Sequence, residues 1–263
     1  CPWDGGRIWW ETSDGKHHSK RAKPGSKEYE EYWSPFLEDF AKHLKDKGWF
    51  EKTTVALDER SPEETKAAAD FVRRVAPGLR LELAGNRAFD AFVGIEPDVY
   101  SQSMEHVSKK FFEYVATRKA KGLKTTFYVC NSPLSPNTFV FSSPDEGYWL
   151  GLYPAVAGLD GLLRWAYNSW PPKPIENADY AGLFAGDTFF VYPDGSPSIR
   201  LLMLQNGLEA AEKYKLLRAE GKCDDELDKV AKLFDAKKAL WKKAPYFTEI
   251  REESDKVLNK TVD

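Results

Sequence analysis

Short apolar segments of strand-like composition alternate with helical segments along most of this chain, and this alternation constrains the fold more than any other feature. Strands are predicted at residues 53–58, 79–84, 91–95, 125–130 and 162–167. Strands and helices that alternate in this way form parallel βαβ units. We therefore predict an α/β fold, specifically a (β/α)8 TIM-type barrel whose first strands are missing at the N-terminus. A doubly wound sheet is the alternative, although no glycine-rich phosphate-binding turn follows any of these strands.

The helices between the strands carry ordinary start signals and apolar faces. Segment 27–47 has apolar residues on one face, as an amphipathic helix does. Ser61 and Glu64 have the spacing of a capping box, with Pro62 at the first helical position. The apolar segment 148–158 is predicted to be a helix buried against the sheet. We interpret the chain as a single catalytic domain, 1–263, in which 1–26 form a rim loop, 27–192 the βα units and 193–263 the C-terminal helices.

The composition argues against several classes of function. The 263 residues include 38 Lys and Arg against 41 Asp and Glu, a net charge of −3, whereas a nucleic-acid-binding domain usually has a basic excess on one face. No apolar run is long enough to span a bilayer. The cysteines and histidines show no metal-ligand spacing. We expect no nucleic-acid partner, no membrane span and no metal site.

Three Asp-Glu dipeptides could supply acid–base groups, and two of them have a structural explanation. Asp225-Glu226 lies in a charged helical segment and is expected on a solvated face. Asp145-Glu146 opens a helix, where acidic side chains cap free N–H groups and interact favourably with the helix dipole. In parallel α/β folds, by contrast, the functional groups lie at the carboxyl ends of the strands.

Only the third dipeptide, Asp58-Glu59, ends a predicted strand. Side chains alternate along a strand, so Thr54, Ala56 and Asp58 share one face, and these small and polar residues suit a barrel interior. Glu59 can join Asp58 only because the backbone bends at Arg60, where the strand ends. The pair is therefore the candidate for acid–base chemistry. The alternative is that Glu59 pairs with a neighbouring cation on the rim, as structural acids often do.

Aromatic residues make up 14% of the chain, and several cluster at predicted strand ends. Aromatic faces stack on the apolar face of a sugar ring, while Tyr hydroxyls and Asn amides bind its polar edges. The candidate substrate-binding residues are Asn86 after the second strand, Tyr128 in the fourth, and Trp165, Tyr167, Asn168 and Trp170 at the end of the fifth. Each aromatic residue could instead belong to the core.

Four long stretches resemble the catalytic domain of glycoside hydrolase family 123 and its uncharacterised relatives. They read PGSKEYEEYWSPFLEDFAKHLKDKGW, ALDERSPEE, FYVCNSPLSPNTFVFSSPDEGYWLGLYPAVAGLDGLLRWAYNSWPP and GDTFFVYPDGSPSIRLLMLQNG. The resemblance extends from about Pro24 to Glu212. It implies a (β/α)8 barrel that follows an N-terminal β-sandwich domain in full-length members, and the hydrolysis of terminal β-linked N-acetylgalactosamine from glycans.

The resemblance also implies a substrate-assisted mechanism, in which the 2-acetamido oxygen of the sugar attacks the anomeric carbon and no protein nucleophile is needed. Asp58 would accept the acetamide N–H and stabilise the oxazolinium ion. Glu59 would protonate the leaving oxygen and later deprotonate water. Tyr128 or Tyr167 would hold the acetamide oxygen. This mechanism needs no metal and no organic cofactor; the partner is a glycan or glycoconjugate, and we expect an extracytoplasmic location, secreted or periplasmic.

The sequence departs from the family pattern in two places, and two other functions stay open. The helix after Arg200 reads QNGLEAAEKY, where relatives tend to have an acidic, Arg-containing version. Compared with the family pattern, we expect the sandwich domain and the first barrel strands to be missing. One alternative is a glycosidase that uses two separated carboxylates, such as Glu59 and Asp187, on sugars without an acetamido group. The other is a non-catalytic glycan-binding or structural barrel.

Overall fold

The computed structural model describes residues 7–180, 182–221 and 223–259, and the chain divides into two units, residues 1–101 and 102–263. The first unit begins with a β-hairpin, in which β1 (Arg7–Glu11) pairs antiparallel with β2 (His17–Arg21). Gly15, with a φ of +78°, allows the tight reversal between the two strands. The rim loop predicted for residues 1–26 therefore contains regular structure within residues 7–26, and residues 1–6 lie outside the described part of the chain.

Helices and strands alternate through the rest of the first unit, as the sequence predicts. Helix α1 (Lys27–Asp46) starts at Ser26, whose hydroxyl accepts the N–H of Tyr29, and it continues unbroken through Pro35. Strand β3 (Thr54–Asp58) is followed by α2 (Pro62–Val75) and β4 (Arg80–Gly85). The apolar core of this unit includes residues from both helices and both strands: Leu37, Ala41, Leu44, Leu57, Ala68, Phe71, Leu81 and Leu83.

The third strand of the sheet lies later in the chain than predicted. The sequence predicts a strand at residues 91–95, but the first two of these residues end a 3-10 turn at Phe89–Phe92. The third strand is β5 (Val99–Ser103). Gly94 and Glu96 have φ values of +88° and +41°. Such left-handed residues cannot belong to a continuous strand, so the prediction was wrong at this segment.

The second unit contains two short strands and most of the helices. Its elements are α3 (Lys109–Ala120), β6 (Lys124–Tyr128), α4 (Pro144–Ala157), β7 (Gly161–Leu163), α5 (Ile199–Ala219), α6 (Asp224–Leu233), α7 (Ala236–Ala239) and α8 (Ala244–Leu258). Strand β7 is shorter than the predicted 162–167, because the chain leaves the sheet after Leu163. None of the described helices is both long enough and apolar enough to span a membrane.

Strands β3 to β7 form one five-stranded sheet in chain order, and the pairs β3–β4 and β6–β7 are parallel. The α/β class is therefore confirmed. The order shows no reversal of the kind that a doubly wound sheet contains. The described residues do not close a barrel either, since β3 and β7 are the two edge strands of the sheet.

Helix α4 is buried along most of its length, as predicted for segment 148–158, and it packs against α5 backbone to backbone. A Cβ atom added at Gly207 would lie 2.2 Å from the carbonyl oxygen of Tyr148. One added at Gly151 would lie 2.7 Å from the carbonyl oxygen of Leu204. The two helices can approach this closely only because glycine has no side chain.

Replacing Gly207 with alanine tests this contact. Alanine inside a helix is normally about 1 kcal/mol more favourable than glycine, but the overlap with Tyr148 should reverse the sign and lower the free energy of unfolding by about 2 kcal/mol or more. Urea unfolding measures the change. Gly161→Ala is the control, because a Cβ there meets only the Thr126 methyl group, at 3.8 Å. Equal stability of the two variants would contradict the close helix contact.

Candidate active site

Asp58 and Glu59 lie where β3 ends, as the sequence predicts. Asp58 is the last residue of the strand, and both side chains are exposed. Leu57 is buried while Ala56 and Asp58 are exposed, so Asp58 lies on the predicted face, opposite the core. Both carboxylates are therefore accessible to a ligand at this strand end.

The backbone of Glu59 has an uncommon conformation. Its φ is +26°, in the left-handed region that non-glycine residues avoid at a cost of about 1–2 kcal/mol. Two residues later, the Ser61 hydroxyl accepts the N–H of Glu64 at 3.2 Å and starts α2. The turn thus takes Glu59 out of the strand alternation, as predicted. Strained backbone of this kind concentrates at functional sites.

Asn86 joins the same edge of the sheet from the neighbouring strand. Asp58 pairs in register with Ala84, and Asn86 follows two residues later, directly after β4. Its Oδ1 atom is buried and has no hydrogen-bond partner in the described parts of the chain. Buried polar atoms are normally satisfied, so a bound ligand could supply the missing donor. The structure therefore places Asp58, Glu59 and Asn86 at the same edge of the sheet.

Sequence reasoning missed two further residues of this edge. Tyr100, in β5, is buried, and its hydroxyl lies against Gly85, where an added Cβ would be 2.4 Å from the oxygen. Glu82 pairs in register with Ala56 and so shares the face of Asp58, and burial raises the pKa of its carboxyl group. The sequence signals for these residues are Gly85, a glycine at a strand end, and the position of Glu82 between two leucines of a strand.

The other predicted binding residues belong to the second unit. Tyr128 ends β6 and pairs in register with Leu163, two residues before Trp165. Tyr128 is 5% exposed, whereas Trp165, Tyr167 and Trp170 are 37%, 51% and 37% exposed. The rings that follow β7 are thus accessible, while that of Tyr128 is part of the core.

Hydrogen bonds hold the segment after β7 in place. The N–H of Phe190 donates to the carbonyl of Tyr167 at 2.8 Å, and the indole N–H of Trp170 donates to the carbonyl of Val191 at 2.7 Å. Asn168, which is exposed, forms an isolated antiparallel bridge with Phe189. This irregular ladder orders Tyr167, Asn168 and Trp170 without regular secondary structure.

Asp187 lies beside this ladder and is 1% exposed. Its Oδ1 atom accepts from both terminal nitrogens of Arg164, each at 3.1 Å, and from the indole N–H of Trp165 at 3.4 Å. Burial lowers the pKa of the Arg164 guanidinium, and the facing carboxylate opposes that shift. Because this carboxylate is buried and already paired, it is poorly suited to act with Glu59 as a second catalytic carboxylate.

The dipeptide Asp145-Glu146 has the structural role predicted for it. The Glu146 carboxylate is buried and accepts the backbone N–H groups of Asn137 and Ser143, at 2.8 and 2.9 Å. Burial raises the pKa of Glu146, and these donors oppose the shift. Asp145 forms an ion pair with Arg251 at 2.7 Å. The remaining dipeptide, in the first turn of α6, is exposed as predicted.

The two strand-end clusters offer carboxylate, amide, hydroxyl and aromatic groups. Such groups transfer protons, bind hydroxyl groups and stack on apolar ring faces. Within the described ranges, no group of three or more His, Cys, Asp or Glu side chains could hold a metal ion.

Comparison with known proteins finds a matching family model and similar solved structures. Residues 1–217 match the family model described as "Glycoside hydrolase 123, catalytic domain". A family 123 glycoside hydrolase from Clostridium perfringens, studied for the details of glycolipid glycan hydrolysis, has a similar structure, with a TM-score of 0.83 and 24% sequence identity. The similarity covers 98% of this chain and 49% of that one, so this chain spans about half its length. No curated protein sequence matches the chain.

The strain at Glu59 can be measured by comparing glycine with alanine at this position. Both substitutions remove the carboxylate, but only glycine relieves the left-handed backbone, so Glu59→Gly should be about 1 kcal/mol more stable than Glu59→Ala. Denaturant unfolding gives the difference. At Glu113, an exposed residue inside α3, the same comparison should favour alanine by about 1 kcal/mol. If alanine is the more stable residue at both positions, Glu59 is not strained.

Proposed function

The chain belongs to glycoside hydrolase family 123, and on that basis we propose that it releases β-linked N-acetylhexosamine, N-acetylgalactosamine in particular, from glycans. The observation that carries the proposal is the exposed Asp58-Glu59 pair at the end of β3. Asn86, whose Oδ1 is unpartnered in the described residues, follows the neighbouring strand at the same edge of the sheet. The likeness to a hydrolase studied for glycolipid glycan hydrolysis supports a glycan substrate.

We propose a retaining, substrate-assisted reaction for this site. The acetamido oxygen of the substrate attacks its own anomeric carbon, so the chain supplies no nucleophile. Asp58, held in strand geometry, accepts the acetamide N–H and stabilises the oxazolinium ion electrostatically. Glu59, one methylene longer and placed on the turn, gives a proton to the leaving oxygen and then takes one from water. Glu82 has its carboxyl group on the same face of the sheet as Asp58.

The remaining roles in this proposal concern binding. The Oδ1 of Asn86 accepts a hydroxyl or N–H of the substrate, and Asn168 offers an exposed amide. Trp165 and Trp170 present half-exposed rings that can stack on a sugar. Tyr167 is exposed and Tyr128 is buried, so Tyr167 is our candidate to donate its hydroxyl to the acetamide oxygen.

Three further features belong to the proposal. The five-stranded sheet is part of a (β/α)8 barrel, which agrees with its chain-order arrangement. An upstream β-sandwich domain accompanies the barrel. The protein acts outside the cytoplasm, where glycans of this kind are available.

Glu59→Gln tests the general acid. The amide cannot transfer the proton, so release of the aryl group from an aryl β-N-acetylgalactosaminide should fall by about 10²–10⁴-fold. Initial rates measured by absorbance give the effect. Glu113→Gln, an exposed change in α3, should retain the wild-type rate. Full activity of Glu59→Gln would exclude the proposed role.

A second pair of measurements tests the participation of the acetamido group. A thiazoline mimic of the oxazoline should inhibit competitively, and an aryl β-galactoside, which lacks the 2-acetamido group, should not be hydrolysed. Inhibition and turnover are both read from aryl release. Hydrolysis of the galactoside together with insensitivity to the thiazoline would instead indicate a protein nucleophile or base acting from a separate carboxylate.

A further inference from the structure

The Arg164–Asp187 ion pair has an uneven geometry. Both terminal nitrogens of Arg164 donate to a single carboxylate oxygen, Oδ1, and Arg164 also donates to the backbone carbonyl of Asp187. The other carboxylate oxygen, Oδ2, is buried and has no hydrogen-bond partner in the described residues. Arg–carboxylate pairs frequently use two parallel hydrogen bonds, one to each oxygen, and this pair does not. Here the third donor to Oδ1 is the indole N–H of Trp165.

A second buried guanidinium lies near this pair. Arg200 donates to the carbonyls of Thr138, at 3.0 Å, and of Gly186. Burial lowers the pKa of Arg200 to about 10. The guanidinium carbon atoms of Arg164 and Arg200 lie 4.9 and 5.9 Å from the centre of the Phe190 ring. Buried ion pairs contribute little net stability, so this arrangement is better explained by the orientation it imposes than by the energy it adds.

Trp165 is hydrogen-bonded to the carboxylate of this ion pair. Its indole N–H points at the buried carboxylate, while the side chain as a whole remains 37% exposed at the end of β7. The χ2 torsion of a tryptophan side chain can take a broad range of values. A hydrogen bond from the indole N–H to a fixed acceptor restricts this range and therefore the orientation of the indole plane. Trp170 differs, because its indole N–H donates to a main-chain carbonyl.

We infer that the Arg164–Asp187 pair positions Trp165, holding its indole plane in the orientation that stacks on the sugar. Asp187 is thus a positioning residue that acts through Trp165. The inference rests on the proposed function for its sugar ligand. It assigns Asp187 a part in substrate binding and none in proton transfer.

A double-mutant cycle on the purified protein tests this coupling. Asp187→Asn and Trp165→Phe should each raise KM for the aryl β-N-acetylgalactosaminide about tenfold, with kcat changed by less than about threefold. The double variant should be no worse than Trp165→Phe, because Asp187 has nothing left to position. The inference would be overturned if the increases in KM of the two single variants multiplied in the double variant. It would also be overturned if KM were unchanged in Asp187→Asn, or if only kcat fell.

Two further variants separate positioning from stability. Asp145→Asn breaks the Asp145–Arg251 ion pair between α4 and α8, and it should lower the melting temperature while leaving KM unchanged. An equal rise in KM for Asp145→Asn would overturn the inference. If Asp187→Asn does not fold, Arg164→Lys takes its place in the cycle, because lysine keeps the charge but cannot make both contacts to Oδ1.

A spectroscopic measurement distinguishes failure of this inference from failure of the proposed function. In protein labelled with 5-fluorotryptophan, the ¹⁹F resonance of Trp165 is identified by its loss in Trp165→Phe. Without any sugar, Asp187→Asn should shift or broaden this resonance and Asp145→Asn should not; an unchanged resonance overturns the inference. If wild-type protein neither hydrolyses the aryl glycoside nor changes its Trp165 resonance with N-acetylgalactosamine, the proposed function is wrong and the positioning of Trp165 for a sugar falls with it.

Discussion

The close contact between α4 and α5 is the constraint on which the second unit depends. Gly151 and Gly207 allow the backbones of α4 and α5 to approach closely. Polar side chains near the starts of these helices then contact the irregular segments that follow β6 and β7. Glu146, on α4, holds the backbone of Asn137. Arg200, on α5, holds the carbonyl of Thr138 and that of Gly186, the residue before Asp187. The helix pair therefore supports the long loops that follow β6 and β7, which have little regular structure of their own.

The first unit supports its functional groups differently, through the register of two parallel strands. Pairing of Asp58 with Ala84 places the turn after β3 beside the turn after β4. Asp58 is the last residue of β3 and follows the side-chain alternation of the strand. Glu59, the next residue, has a left-handed backbone conformation and departs from that alternation. Two adjacent carboxylates can thus have different orientations and different roles. This arrangement suits a reaction in which one carboxylate stabilises charge and the other moves a proton.

Local signals explain which predictions succeeded. Ser61 caps α2 as its spacing with Glu64 indicates, and the apolar segment containing Trp149 forms the buried helix α4. The failures occurred where composition and alternation do not identify the local backbone conformation. Residues 91–95 are apolar enough for a strand, but left-handed residues at 94 and 96 exclude one. The hairpin β1–β2 pairs polar segments, and its alternation is too weak to separate a strand from a loop.

The sequence by itself determined the α/β class, the position of Asp58-Glu59 at a strand end and the structural role of Asp145-Glu146, because each follows from periodicity or capping within a few residues. Only the tertiary structure decided that Asn86 lies at the same sheet edge as Asp58 and that Glu82 lies on the same face. The same is true of the burial of Tyr128 and of the contacts of Asp187 with Arg164 and Trp165. These facts depend on strand register and on side chains more than 20 residues apart along the chain. No local pattern encodes such contacts, since they form only when the elements pack.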